Sequence, residues 1–127
     1  MATARPLLRA ASLFAPPLAL MGVIFFLSAQ PDLNSGLGVW DTIGRKFVHF
    51  AIYGALWWLW DRALEHRHGI IAAVITVAYA ATDEYHQSFV EGRVGSVRDV
   101  LIDTAGVLAA WAFSRWLARR QERRRSG

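Results

Sequence analysis

The residues in this chain best suited to chemistry cluster in three short stretches. One is Asp83-Glu84-Tyr85-His86-Gln87-Ser88-Phe89-Val90-Glu91-Gly92-Arg93, where two adjacent carboxylates follow the apolar run Gly69 to Ala81. The others are Lys46, His49 and Tyr53, at spacing i, i+3, i+7, and Asp99 with Asp103, at i, i+4. A histidine beside carboxylates can move protons, and Lys46 or Arg93 can hold a phosphate or carboxylate. Each charge placed at the centre of a lipid-embedded helix costs about 2.5–3.5 kcal/mol, so charges at the end of such a run need partners or a task.

The elements that must position these residues follow from composition. The chain has 127 residues, is 54% hydrophobic with six tryptophans, and carries a net charge of +4 gathered at its ends and in one loop. Its apolar runs are broken by polar residues only at their ends, which fits one small integral membrane domain better than a soluble core. With no cysteine, thiolate metal sites, disulfides and cysteine nucleophiles are excluded.

Four helices are expected, at about 10–29, 45–60, 69–85 and 97–117, giving an all-α transmembrane bundle in a single domain, followed by a basic tail at 118–127. Pro16-Pro17 inside the first run predicts a kink, or a helix that becomes regular only after Pro17. A cleaved signal peptide competes with a retained first helix. Leu27, the third position back from a cleavage after Ala29, is large for cleavage and favours retention. Gln30 to Gly44 reads as a loop with a short interfacial piece at Val39-Trp40. Trp57, Trp58 and Trp60 read as an interface belt. Asp61 to His68 reads as a polar connection in which His66 and His68 are solvated, and Val90 to Val97 reads as a turn.

Orientation follows from the basic flanks. Arg5, Arg9, Arg62, Arg67 and the Arg119–Arg125 cluster lie at one level, whereas Gln30 to Gly44 contains no Lys or Arg. Both termini are therefore expected in the cytoplasm. This places Lys46, His49, Asp83, Glu84, Arg93, Arg98, Asp99 and Asp103 at the external face. Helical spacing gives three helices a polar stripe at that level, with Asp83 and Gln87 one turn apart. Gly106 continues the Asp99–Asp103 face and offers a surface where another backbone can approach.

The combination Lys46, His49, Phe50, Tyr53; Asp83, Glu84, Gln87, Phe89, Arg93; and Ser96, Asp99, Asp103, Gly106 resembles the VanZ-like membrane proteins. The likeness runs from Ser28-Ala29-Gln30 to about Gly106. Asp103 departs from it, standing where many relatives carry Asn. The family takes its name from a protein associated with low-level teicoplanin resistance. The resemblance thus implies a role in the bacterial cell envelope and antibiotic resistance, without supplying a mechanism.

For the site itself, His49, Asp83 and Glu84 are the candidate catalytic residues, with His49 as general acid or base and a carboxylate orienting it. Lys46, Tyr53, Gln87, Arg93, Asp99 and Asp103 are candidate binding residues. A metal version using His49, Asp83, Glu84 and Asp99 is set below the metal-free one, because no short ligand pair such as His-Glu-x-x-His occurs; no cofactor is expected. In the structural alternative, Lys46 and Arg93 neutralise Asp83, Glu84 and Asp99 so that the helices can assemble. A transport role would need a homo-oligomer, since four spans without a repeat are few. The arginine tail reads as an anchor to anionic lipid and not as a nucleic-acid surface, since it directly follows a spanning helix. The expected partners are membrane lipids and a lipid-linked or glycopeptide ligand.

Overall fold

The computed structural model describes residues 4–28, 39–89 and 97–127. Four helices make up the described chain: α1 (Ala4–Ser28), α2 (Val39–Ala63), α3 (Gly69–Gln87) and α4 (Val97–Ser126). The all-helical expectation holds, and the helices are longer than the apolar runs that announce them. α1 runs unbroken through Pro16 and Pro17, so it does not begin after the prolines. α2 starts at Val39, which makes Val39 to Gly44 helical where a loop was expected. The basic tail continues α4 to Ser126, because Arg, Gln and Glu are good helix formers and need no apolar partner to propagate an existing helix.

Two of the helices, over Ala4–Leu27 and Val97–Ser126, are long and apolar enough to cross a membrane. α2 and α3 carry the charged residues of the polar stripes, which lower their mean hydropathy. Their outward surfaces are nonetheless apolar, with Phe47, Val48 and Trp58 on α2 and Ile70, Ile71 and Val74 on α3 exposed. The inward positions include Thr76, Asp83, Glu84, Gln87 and Asp103.

Helices successive in the chain alternate in direction. His49 meets Asp103 and Trp57 stacks on Trp111, so α2 and α4 run parallel. Tyr53 meets Asp83 and Trp57 meets Gly69, so α3 runs against α2. Arg9 meets Glu65 and Phe14 meets Trp60, which sets α1 antiparallel to α2.

α2 and α4 share the most extensive interface, and glycine sets its spacing. A Cβ on Gly106 would collide with the Phe50 carbonyl oxygen, and one on Gly54 would stand 3.0 Å from the Gly106 carbonyl oxygen. The two backbones therefore touch without intervening side chains, as the Gly106 surface predicted. Around this seam lie the buried Tyr53, Leu56, Trp57 and Val107, with Ala72 and Ala80 from α3 and Ile24 from α1. Trp57 belongs to this core instead of an interface belt. Its indole N–H donates to the Gly69 carbonyl at 3.1 Å, which satisfies its one polar atom.

α1 is fastened at both ends. Pro16 lacks the N–H that would bond the Ser12 carbonyl, and the Arg62 guanidinium donates to that carbonyl at 3.1 Å. Arg9 pairs with Glu65 at 2.6 Å at the same end. Further along, the Tyr79 hydroxyl donates to the Met21 carbonyl and Phe25 stacks on His86. In the α2–α3 turn, Glu65 and His66 adopt positive φ of 60° and 59°. This folds His66 back so that its Nδ1 lies 2.7 Å from an oxygen of buried Asp61. His66 is exposed, as the polar connection predicted, but Asp61 is the last buried turn of α2 and not part of a loop.

Candidate functional site

The polar stripes of α2, α3 and α4 meet at one end of the bundle, opposite the Arg9–Glu65 end. α3 ends there with Asp83, Glu84 and Gln87 all buried, the i, i+1, i+4 pattern that places three side chains on one helix face. α2 brings His49 and Tyr53 to this end, and α4 brings Asp103.

Two pairs organise the cluster. The Tyr53 hydroxyl donates to Asp83 Oδ2 at 3.1 Å, with both side chains buried. His49 Nδ1 lies 3.2 Å from Asp103 Oδ1. The His49 ring is also stacked toward Tyr53, with centroids 6.2 Å apart. One donor atom each from His49, Glu84 and Asp103 falls within 4.8 Å of the others. Among the described residues, Asp83 Oδ1 and Asp103 Oδ2 are buried without a hydrogen-bond partner.

The carboxylate that meets His49 Nδ1 is Asp103, a residue the sequence offers for binding and not for orienting the ring. Asp83 is instead held by Tyr53. The difference in exposure divides the dyad's labour: the His49 side chain is 29% exposed and Asp103 is 0% exposed. The imidazole is partly accessible, and the carboxylate behind it is not.

The other expected residues are placed less uniformly. Gln87 is buried beside the pair on α3. Asp99 is half-buried one turn before Asp103 on α4. Lys46 is half-buried one turn before His49, and among the described residues no salt bridge joins it to Asp83 or Asp103. Arg93 lies outside the described residues, as does the turn around it.

Tyr79 was not singled out by motif, although its ring stands 6.5 Å from that of Tyr53. Its signal is in the sequence all the same, since it lies one turn before Asp83 on the same α3 face. Thr76, a further turn back, is fully buried and returns its hydroxyl to the Ala72 carbonyl at 2.8 Å. It therefore contributes no polar group to the cluster. A groove of about 1120 Å³ lies elsewhere, bordered by Trp58, His66, Ile70, Trp111 and Arg115, and includes none of the cluster residues.

Chemically, a histidine backed by a buried carboxylate presents its other ring nitrogen in a fixed orientation, the arrangement used for proton transfer and for ligating cations. The neighbouring carboxylates favour a positively charged species at the exposed edge of the ring. No curated protein and no solved structure matches the chain significantly. A family model, VanZ/LLP1, matches residues 13–118, a span that reaches into all four helices and contains every residue of the cluster. Together with two helices able to cross a membrane, this supports a membrane protein. The chain belongs to the VanZ/LLP1 family.

Proposed function

We propose that this protein spans the membrane four times with both termini in the cytoplasm, and that its polar cluster is an outward-facing pocket for a cell-envelope ligand. The ligand class is a glycopeptide, a lipid-linked envelope precursor or a lipid headgroup, and the pocket binds or processes it. Teicoplanin-type resistance is the cellular outcome to test first.

The four-pass reading is supported by the alternating helix directions and by the apolar outer surfaces of α2 and α3. α3 has 19 residues, about 28 Å of helix, which is close to the roughly 30 Å hydrocarbon thickness. An inside-polar, outside-apolar helix is what lipid selects and water rejects.

The observation that carries the pocket reading is the His49–Asp103 dyad, a partly exposed imidazole held from behind by a fully buried carboxylate. A bundle that only needed neutral glue would gain nothing from leaving the ring accessible. His49 acts as general acid or base, with Glu84 beside it and Lys46 one turn away as the residue that holds a phosphate or carboxylate. The enclosed Tyr53–Asp83 pair favours a second reading for its own half of the cluster, in which it holds α2 to α3 without touching a ligand.

The test pairs Glu84→Gln with His49→Gln in detergent-solubilised protein, following thermal stability beside the sensitivity of expressing cells to teicoplanin and to detergent. The pocket reading expects parental stability and a lost phenotype in both. Early unfolding of both variants would sink it and leave a structural accessory protein.

A further inference from the structure

We propose that His49, Glu84 and Asp103 form a binding site for one divalent cation of the zinc or manganese type. The proposal rests on the reading of this cluster as a site, and it deepens that reading by naming what the cluster holds.

Three observations carry it. The first is the donor set: one imidazole nitrogen and two carboxylate oxygens, from three different helices, lie within 4.8 Å of one another. Imidazole with carboxylates suits zinc and manganese, and three protein ligands leave a coordination position for a water or a ligand oxygen. The second is the spacing within the dyad. The 3.2 Å from His49 Nδ1 to Asp103 Oδ1 lies at the upper end of the ordinary N–H···O range of about 2.7–3.2 Å. It matches the roughly 3.3 Å edge between two donors that each sit about 2.0 Å from a tetrahedral ion.

The third is independent of both. Asp103 is 0% exposed, and among the described residues its Oδ2 has no hydrogen-bond partner. Nor does any described Lys or Arg form a salt bridge to it. A buried carboxylate oxygen in this condition is costly unless a cation satisfies it. One divalent ion would offset the negative charge that the buried Asp103 carboxylate brings into the bundle. Binding would draw the widest pair of donors together by about 1.5 Å, since a tetrahedral edge is roughly 3.3 Å, and side-chain rotation covers that distance.

With the ion between His49 Nδ1 and Asp103 Oδ1, shared coordination replaces the hydrogen bond of the dyad and leaves Nε2 for a further acceptor or water. The ion then lies on the buried side of the ring, between it and the Glu84 and Asp103 carboxylates.

The experiment uses the full chain carrying a tag without histidines, purified in detergent, incubated with Zn²⁺ alone or Mn²⁺ alone and desalted. Elemental analysis should find about one ion per chain in the parent. His49→Gln, Glu84→Gln and Asp103→Asn should each lower it at least about tenfold, in line with the loss of a metal ligand. A His66→Gln/His68→Gln variant should retain it. Because a variant can misfold, the Mn²⁺-loaded parent is also examined by pulsed electron paramagnetic resonance, where a single nitrogen coupling is expected from His49. A parent with no bound ion, an ion retained in all three ligand variants, or a spectrum with no nitrogen or several would overturn the site. The phenotype test of the pocket does not depend on metal content, so a metal-free parent with variants that lose the phenotype would remove the cation alone.

Discussion

His49 and Asp103 are 54 residues apart in the chain and 3.2 Å apart in the bundle. The contact is made possible one turn further on, where Gly106 lets α4 press against the Phe50 carbonyl. The dyad and the glycine seam are parts of one arrangement, since a wider α2–α4 spacing would separate the ring from the carboxylate.

Residues that act as a unit lose function together and not in sum. Asp103→Asn keeps the size of the side chain and one acceptor for His49, so it should melt close to the parent. Its loss of the resistance phenotype should match that of His49→Gln, and the double variant should be no worse than either. Additive losses would show that the two residues serve separate tasks.

Gly106→Ala should destabilise the bundle by about 1–3 kcal/mol, the range for forcing an extra methyl group into a packed seam. Gly22→Ala is the matched control, because a Cβ there meets nothing within 4 Å. It should be neutral or slightly stabilising through helix propensity. Thermal melting in one detergent compares the two directly.

Tyr53→Phe removes the only hydrogen bond that a described residue donates to Asp83, leaving a buried carboxylate without it. A loss of about 1–3 kcal/mol is expected for stranding such a group. If the variant melts with the parent, Asp83 has another source of stabilisation and the Tyr53 pairing is incidental.

The orientation has its own test, made simple by the absence of native cysteine. A single cysteine introduced at Glu65 or at Ser126 should be shielded from a membrane-impermeant maleimide in intact cells. One at Ser35 should label. Labelling at Glu65 but not at Ser35 would invert the topology.

Much of this arrangement could be read from helical spacing. Lys46, His49 and Tyr53 fall on one face at i, i+3, i+7, and that spacing suffices to send His49 and Tyr53 to the same interface. Which carboxylate each one meets is decided by the rotation of α3 and α4 about their axes, and no periodicity within a single helix specifies it. That is why Asp103, and not Asp83, was found behind His49. The helix ends were obscured for a different reason: at Arg119–Arg125 the apolar run stops but the backbone hydrogen bonding does not, so hydropathy marks where lipid contact ends and not where the helix does. Trp57 shows the same limit, since an indole with a buried partner for its N–H and one lying at a headgroup level look alike in sequence.

The proline pair in α1 bears on how the protein is made. Synthesis delivers α1 first, with a Ser12 carbonyl that its own helix cannot satisfy because Pro16 has no N–H to offer. The donor that completes it, Arg62, is 50 residues later in the chain and emerges only after most of α2. The contact that replaces the missing helix hydrogen bond therefore forms only once the end of the second helix has been made. A generic apolar segment of the same length would insert as readily, but it would offer Arg62 no carbonyl to read.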